Sequence, residues 1–389
     1  MQTTRPVPDK AIDPDVHWGL PGWIYHDPEF FSVEKARLLR PSWQIICHTS
    51  DIQAPGHWRT LEFLGESIVV IRGDDDEIRA FTNVCRHRGS RLLDGASGCA
   101  AKLVCPYHGW TYALDGTLTG VPARRDYPAL DMAKSGLAKV ELEQWEGFLF
   151  VRLETGGPSV AEMMAPYADL VAPYRLPDLR AIGRVVLRSR RVNWKNVSDN
   201  YADGLHIRVA HPGLTRLFGK SYGVEASEHV DKMWGDLVSR PSQVASERLY
   251  QKYLPTVDHL PLSAQRQWLY LKLWPNVALD FYPDQIDFMQ FIPVSADITL
   301  IREISYALPD ERREMRAARY LNWRINRQVN AEDTVLIQRV QDGMASQSFS
   351  SGPLGESEVC LRNFGRRMRA LIPESRLRTR PGAGWSDRA

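Results

Sequence analysis

Two short segments of the chain each combine one cysteine with one histidine. Cys85 and His87 stand in the segment CRH, and Cys105 and His108 stand in CPYH, with residues 88–104 between the two pairs. Thiolates bind soft metals and iron–sulfur clusters, whereas imidazole suits iron or zinc. The pattern therefore predicts a fold that holds two loops side by side around a metal centre.

The order of the four residues bears on which metal they bind. A zinc site usually takes both cysteines from one pair and both histidines from the other, whereas each pair here mixes the two residue types. The mixture favours a [2Fe–2S] cluster in which one iron takes both cysteines and the other takes both histidines. A zinc site stays open as the alternative.

Length and composition exclude several classes of protein. A chain of 389 residues has room for two or three domains, at roughly 100–200 residues each. Its 49 basic and 47 acidic residues nearly cancel, so no nucleic-acid partner is expected. No run approaches the roughly 18 consecutive apolar residues of a membrane span. The five cysteines form no disulfide framework, and we expect reduced thiols and a cytoplasmic protein.

The hydrophobic pattern predicts an α+β fold. Short β-type runs separated by turn residues extend from about Trp43 to Leu153, and a long helical pattern runs from about Asp310 to Met344. Further strands are predicted near Arg184 and over 268–274, 286–293 and 298–308. Four regions are expected: an N-terminal helical segment (1–42) packing on the larger domain, a small all-β domain (43–155), a domain with an antiparallel sheet flanked by helices (156–372) and a flexible tail (373–389).

A second group of potential ligands follows the segment NWKNVSDNYADGLHIRVAHPG. His206 and His211 are five residues apart, so their imidazoles converge only if a helix bends or ends between them. Pro212 directly after His211 makes such an ending plausible. Two histidines and one carboxylate form a facial triad that leaves open positions on Fe(II). Asp203, three residues before His206, is expected on the same helical face.

With both groups, the chain resembles the terminal oxygenase (α) subunit of the Rieske non-haem iron oxygenases, the aromatic-ring-hydroxylating dioxygenase family. The resemblance covers nearly the whole chain and includes the order of several motifs, Asn193-Trp194-Lys195, Asp199-Asn200, His206 and His211. It implies a catalytic domain of the helix-grip type. It also implies one Rieske [2Fe–2S] cluster on Cys85, His87, Cys105 and His108, and one mononuclear Fe(II) per subunit.

The resemblance also implies roles for residues around the mononuclear iron. The third iron ligand in the family is a downstream Asp in a helix before a Gln-x-Gly segment, which points to Asp333, with Glu332 and Asp342 as competitors. Asp203 is implied to link a Rieske histidine of a neighbouring subunit to an iron-ligating histidine. The alternative is a carboxylate that only orients His206. Asn200 is a further candidate near the iron.

The function implied is O2-dependent hydroxylation of a small, aromatic organic substrate. The alternative is oxidative N- or O-demethylation of a betaine-like quaternary amine or a methoxyarene. The chain has no G-x-G-x-x-G segment and no plant-type ferredoxin cluster motif, so a separate ferredoxin or NAD(P)H-dependent reductase is expected to supply electrons. The resemblance further implies a homotrimer with electron transfer between subunits. An electron carrier without catalysis would leave His206, His211 and Asp333 unexplained.

Aromatic residues concentrate between positions 267 and 291. This window contains Trp268, Tyr270, Trp274, Phe281, Tyr282, Phe288 and Phe291. Alternation along a sheet would turn some of these rings toward one face, where they could form an apolar roof over the iron. Ordinary sheet core is the alternative for each ring, and the same rings could enclose a quaternary ammonium group.

Overall fold

A computed structural model describes residues 17–386 of the chain. Three small sheets occupy its first part, and one eight-stranded antiparallel sheet with helices occupies the second. The predicted α+β class, with a small all-β unit beside a domain that carries an antiparallel sheet flanked by helices, is therefore confirmed.

The small β-rich unit contains ten short strands. They are β1 (Gln44–His48), β2 (His57–Phe63), β3 (Glu66–Arg72), β4 (Ile78–Thr82), β5 (Ser97–Cys99), β6 (Leu103–Val104), β7 (Thr111–Tyr112), β8 (Leu118–Gly120), β9 (Glu141–Trp145) and β10 (Phe148–Arg152). They form the sheets β1-β10-β9, β4-β3-β2-β5 and β6-β7-β8. All ten strands lie within the predicted 43–155 region, whose bounds stay a prediction.

The large sheet has the order β11-β18-β17-β16-β15-β14-β13, with β12 pairing on β18. Its strands are β11 (Arg180–Ala181), β12 (Val186–Arg190), β13 (Gly223–Ala226), β14 (Val230–Asp236), β15 (Gln267–Leu273), β16 (Val277–Phe281), β17 (Ile286–Ser295) and β18 (Ile298–Ala307). The strands predicted near Arg184 and over 268–274, 286–293 and 298–308 are confirmed. The sequence analysis did not predict β11, β13, β14 and β16.

Nine α-helices accompany the sheets in the described part of the chain. They are α1 (Pro28–Glu34), α2 (Val160–Met164), α3 (Ala168–Val171), α4 (Trp194–Ala202), α5 (Ile207–Ala210), α6 (Pro212–Phe218), α7 (Ala245–Tyr253), α8 (Arg313–Met344) and α9 (Val359–Leu371). The long predicted helix is α8. Between residues 17 and 386, no helix combines the length and apolar character needed to cross a bilayer.

Polar side chains join the small unit to the large sheet. Gln44 on β1 exchanges amide hydrogen bonds with Asn276, at 3.0 and 3.1 Å. The Arg302 guanidinium on β18 donates to the main-chain carbonyl oxygen of Ile45, and the Tyr306 hydroxyl donates to Asp51 at 2.6 Å. Because these groups are buried or partly buried and satisfied by one another, the two units hold a defined relative position.

Within the part that the structure describes, the N-terminal segment contacts helix α4 of the larger domain. Asp27 caps α1 by accepting a hydrogen bond from the Phe30 N–H at 2.6 Å. At the other end of α1, the fully buried Glu34 carboxylate forms an ion pair of 2.8 Å with Lys195 of α4. The Lys195 ammonium also donates to the Ile24 carbonyl oxygen at 3.0 Å.

The predicted flexible tail is wrong for the residues up to 386. The Trp385 side chain is only 6% exposed and packs against the rings of Trp23 and Phe30. The Arg380 guanidinium pairs with the carboxylates of Asp27 and Glu29 at the start of α1. A sequence rich in Arg, Pro and Gly suggested disorder, but one buried indole and two ion pairs anchor this segment.

The buried ion pair between α1 and α4 yields a stability prediction. Glu34→Ala should lower the free energy of unfolding by about 3–5 kcal/mol, because it leaves the Lys195 ammonium buried without its counter-ion. Chemical denaturation followed by tryptophan fluorescence measures this change. Arg91→Ala removes an exposed ion pair to Glu62 and should cost only about 0–1 kcal/mol. Equal losses in the two variants would contradict the assignment.

Candidate metal centres

The two cysteine–histidine loops are built alike. In each loop a glycine N–H donates to the cysteine carbonyl oxygen at 3.0 Å, from Gly89 to Cys85 and from Gly109 to Cys105. Both glycines have positive φ angles, +77° and +68°, which a side chain disfavours. The same tight turn therefore presents both loops toward one point.

The side chains at that point fit a cluster with mixed ligands. The rings of His87 and His108 lie 4.7 Å apart between centroids. Each has a buried Nδ1 atom without a hydrogen-bond partner among the described residues, as expected for a nitrogen that faces a metal. Trp110 stacks on His87 at 4.8 Å, and the Cys85 sulfur lies 3.3 Å from the Tyr112 hydroxyl.

The local electrostatics favour the ligand forms of these groups. Burial opposes ionisation of the Cys105 thiol, but the N–H groups of Tyr107 and His108 and the neighbouring Cys85 thiol outweigh it and lower the pKa of Cys105. Desolvation and the nearby His108 lower the pKa of His87. A thiolate and a neutral imidazole are the forms that bind metal.

A break in the helical chain brings the second pair of histidines together. Asn193 caps α4, which ends at Ala202, and His206 and His211 flank the single turn of α5. Pro212 then begins α6. The two imidazole Nε2 atoms lie 3.1 Å apart. The expectation that helix endings make these residues converge is confirmed.

Asp333, on the long helix α8, completes the group. Its Oδ1 atom lies 3.0 Å from the His211 Nε2 and 3.6 Å from the His206 Nε2. One ligand atom from each of the three residues falls within 4.8 Å of the others, a spacing that suits one metal ion. Two imidazoles and one carboxylate are the donor set of a facial triad on Fe(II). The Asn200 amide donates to Asp333 at 3.1 Å, beside the triad.

The charges at this group also suit a cation. Burial opposes protonation of His206, but hydrogen bonds to Asp203 and Asp333 outweigh it and raise the pKa of His206 to about 9. Burial likewise opposes ionisation of Asp333, yet both histidines lower its pKa to about 2. The carboxylate therefore stays ionised, and a metal ion would take the place of the imidazole protons.

Asp203 contacts His206 by a route other than the predicted one. It follows the end of α4 with an extended backbone (φ −83°, ψ 115°), so the two residues do not share a helical face. Its carboxylate instead spans a turn, accepting from the Leu205 N–H at 2.7 Å and lying 3.1 Å from the His206 Nδ1. The contact orients the imidazole with its Nε2 toward the triad.

The two competing carboxylates lie elsewhere. The Glu332 Oε2 atom is 2.7 Å from the His211 Nδ1, on the side of the ring away from the triad. Asp342 is exposed and accepts a hydrogen bond from Gln338 at 3.0 Å. The geometry thus favours Asp333 as the ligand. Glu332 contacts the outer nitrogen of His211, just as Asp203 contacts the outer nitrogen of His206. Sequence reasoning missed this second carboxylate–histidine pair.

A cavity of about 160 Å³ opens beside the triad. Of the seven aromatic residues in the 267–291 window, only Tyr270, Tyr282, Phe288 and Phe291 line it. The predicted aromatic wall is therefore present in part. Charged side chains that the prediction did not include line the same cavity, namely the acids Asp280, Asp287 and Glu303 and the bases Arg188, Arg190 and Arg327. Sequence reasoning missed these acids. Each is an acidic residue within a strand of the large sheet, and this pattern could have identified them as candidate cavity residues.

Comparison with known proteins identifies both domains. Residues 42–140 match the model of the Rieske [2Fe-2S] domain, and residues 176–374 match that of the ring hydroxylating alpha subunit (catalytic domain). The carnitine monooxygenase oxygenase subunit of Acinetobacter baumannii is 30% identical over 90% of this chain and 91% of its own length. The glycine betaine monooxygenase oxygenase subunit of Chromohalobacter salexigens is 39% identical over 50% of this chain and 43% of its own.

A solved structure agrees with these matches. The crystal structure of a quaternary ammonium Rieske monooxygenase in complex with substrate L-carnitine superposes with a TM-score of 0.77 at 25% identity, and the alignment covers 95% of this chain and 99% of that one. The similarity extends through both units, so it includes the region of the cluster loops and that of the histidine–aspartate triad.

The contact between Glu332 and His211 yields a prediction about iron binding. Glu332→Ala should weaken Fe(II) binding by about 10–100-fold, because the outer carboxylate that fixes the imidazole is lost. The protein is depleted of its mononuclear iron while the cluster is kept, and titration with Fe(II) then measures this change. The visible absorption of the cluster should stay unchanged. Asp342→Ala on the same helix is the control. Unaltered iron affinity in Glu332→Ala would show that the contact has no positioning role.

Proposed function

The chain belongs to the ring-hydroxylating alpha-subunit family of Rieske non-haem iron oxygenases, and we propose that it oxidises a small quaternary ammonium compound. As a terminal oxygenase of this family it uses one Rieske [2Fe–2S] cluster and one mononuclear iron. Its electrons come from a separate redox partner, which we propose is a ferredoxin or an NAD(P)H-dependent reductase.

The charge of the catalytic cavity is the observation that carries this proposal. Four carboxylates beyond the triad line it: Asp203 contacts His206, Glu303 pairs with Arg188, and Asp280 and Asp287 form no ion pair within residues 17–386. Arg190 and Arg327 line the same cavity but pair with neither aspartate among the described residues. Carboxylates away from bulk water are costly unless a positive charge compensates them. A cationic substrate supplies that charge, whereas a neutral aromatic ring does not. The relatives named for carnitine and glycine betaine support the same substrate class. Demethylation of a quaternary amine is therefore favoured over ring hydroxylation.

The size of the cavity supports a small substrate. Its volume of about 160 Å³ lies below the roughly 300–1,000 Å³ of pockets for drug-sized ligands. Large molecules would not fit without movement of the wall. A short betaine or a similar amine suits this space.

The residues around the iron divide the remaining tasks. When bound, the cluster supplies electrons and the mononuclear iron supplies a site for dioxygen activation. His206, His211 and Asp333 are proposed to hold the iron, while Asp203 and Glu332 hold the two imidazoles with their Nε2 atoms inward. Asn200 donates to Asp333 and limits the rotation of that carboxylate.

We further propose that Asp203 lies at a contact between subunits of a homotrimer. Close to Asp203 in sequence, the apolar side chains of Leu205 and Val209 are 52% and 88% exposed, and exposed apolar side chains that form one patch can mark an interaction site. In the loop that carries Cys105 and His108, Val104 and Tyr107 are also exposed. Packing one subunit's cluster loop on the next subunit's Asp203 would cover both patches. The carboxylate could then accept hydrogen bonds from a histidine of each centre.

An oxygen-uptake screen tests the substrate class. The iron-loaded protein, a reductase system and NADH are combined with glycine betaine, L-carnitine, choline, methoxyarenes and aromatic acids in turn. Substrate-dependent uptake is expected with quaternary ammonium compounds, and none is expected without the redox partner. Uptake with aromatic acids but with no quaternary amine would refute the proposal.

The proposed bridging role of Asp203 has its own test. Asp203→Asn should lower turnover by about 100-fold while cluster absorption and iron content remain near normal, because the amide keeps its shape but loses the charge that joins two imidazoles. When the reduced variant is mixed rapidly with dioxygen, slow oxidation of its cluster would show that the defect lies in electron transfer to the iron site. Asp342→Asn serves as a control. Near-normal coupled turnover in Asp203→Asn would exclude the bridge.

A further inference from the structure

A row of four residues crosses the cavity face of the large sheet. Strand pairing sets Tyr270 on β15 opposite Asp280 on β16, Asp280 opposite Asp287 on β17, and Asp287 opposite Ser305 on β18. Directly opposed residues on neighbouring strands point to the same face. All four line the catalytic cavity. Two aspartates therefore face each other across adjacent strands beside the iron triad.

This pair of acids lacks a basic partner in the part of the chain that the structure describes. No ion pair to Asp280 or Asp287 is present within residues 17–386, and the nearby Arg188 guanidinium is taken by Glu303. Like charges directly opposite in a sheet are destabilising. Burial raises the pKa of Asp280 to about 7, and burial with the charges of Asp280 and Glu303 raises that of Asp287 as well. The cavity wall thus holds acidic groups whose ionisation a bound cation would favour.

Three tyrosine rings surround Asp280. The rings of Tyr201 and Tyr270 are perpendicular (90°) with centroids 6.3 Å apart, and those of Tyr270 and Tyr282 are perpendicular (88°) at 6.1 Å. Successive perpendicular rings form two corners of a box. All three line the same cavity as the triad. Aromatic boxes of this kind recognise quaternary ammonium groups through the negative faces of their rings.

The hydrogen bonds of Asp280 bear on the type of cation. The Tyr201 hydroxyl donates to Oδ1 of Asp280, and the Tyr282 hydroxyl donates to Oδ2 at 3.4 Å. Each carboxylate oxygen thus already accepts a hydrogen bond. A quaternary ammonium has no N–H donor and needs only charge and ring faces. A primary ammonium would have to compete with these hydroxyls for the oxygens or leave its own donors unsatisfied.

The box adjoins the reaction site. Tyr201 follows Asn200 on α4, and the Asn200 amide donates to the iron-ligand candidate Asp333. A cation seated against Asp280 would lie in the same cavity as the triad.

We propose that Asp280, with Tyr201, Tyr270 and Tyr282, binds the quaternary ammonium group of the substrate and determines the preference for a permanent cation. Asp287, on the neighbouring strand, adds negative charge beside Asp280. This inference rests on the proposed function, because it concerns the catalytic cavity. It names four side chains that bind the charged group of the substrate.

A pair of ligands that differ only in charge tests the subsite. Choline and 3,3-dimethylbutan-1-ol have the same shape, with nitrogen replaced by carbon. Calorimetric titration of the iron-loaded protein should show choline binding at least about 10-fold more tightly than the neutral alcohol, since each 1.4 kcal/mol corresponds to a factor of ten. Asp280→Asn should remove this preference and leave the affinity for the alcohol unchanged. Equal affinity of the unaltered protein for both ligands would overturn the proposal.

Asp284→Asn is the matched control. Asp284 is another buried aspartate that accepts a hydrogen bond from a tyrosine, Tyr250, at 2.6 Å, but it does not line the catalytic cavity. Its substitution should leave the preference for choline intact. The same loss in both variants would assign the effect to general destabilisation and would refute a specific role for Asp280.

A second pair of variants decides the matter even if Asp280→Asn fails to fold. Tyr270→Phe keeps the ring face and should keep the preference for choline, whereas Tyr270→Leu should reduce it by about 5–30-fold, the loss of one desolvated cation–π contact with its packing. Equal binding in the two variants would refute the box. Failure of the proposed function looks different: no quaternary amine would then support oxygen uptake, whatever choline binding shows.

Discussion

The close approach of His206, His211 and Asp333 is the constraint on which the catalytic domain depends. Three polar groups with ligand atoms within 4.8 Å would be an expensive cluster in a partly buried site without a cation. The surrounding helices bring these three groups together. The break between α4 and α5 brings the histidines together, and the length of α8 carries Asp333 across to meet them. The large sheet forms the opposite wall of the cavity.

Carboxylates extend outward from that centre in two directions. Asp203 and Glu332 each approach the outer nitrogen of one histidine, so both imidazoles are fixed from behind. On the sheet side, Asp280 and Asp287 face each other, and neither forms an ion pair with a basic side chain among residues 17–386. In the proposed function, the first set positions the two imidazoles that would bind iron, and the second set would favour a positively charged substrate.

The parts predicted from sequence are those encoded locally. The cysteine–histidine loops lie within two short segments, and their spacing alone indicated the cluster. Asp333 could be assigned only through the family resemblance, because nothing near His211 in sequence points to it. Asp280 and Asp287 face each other through the register of β16 on β17, which the sequence did not reveal since β16 was not recognised as a strand. The anchoring of Trp385 likewise depends on a partner, Trp23, from the other end of the chain.

The central claim is that the iron site faces a cavity built for a small quaternary cation. The most direct measurement is the electron paramagnetic resonance spectrum of the oxidised mononuclear iron, recorded with and without glycine betaine or L-carnitine. Binding beside the iron should change its signal saturably, and a neutral aromatic compound at the same concentration should leave it unchanged. A signal that responds to the aromatic compound and to neither quaternary ammonium compound would contradict the account.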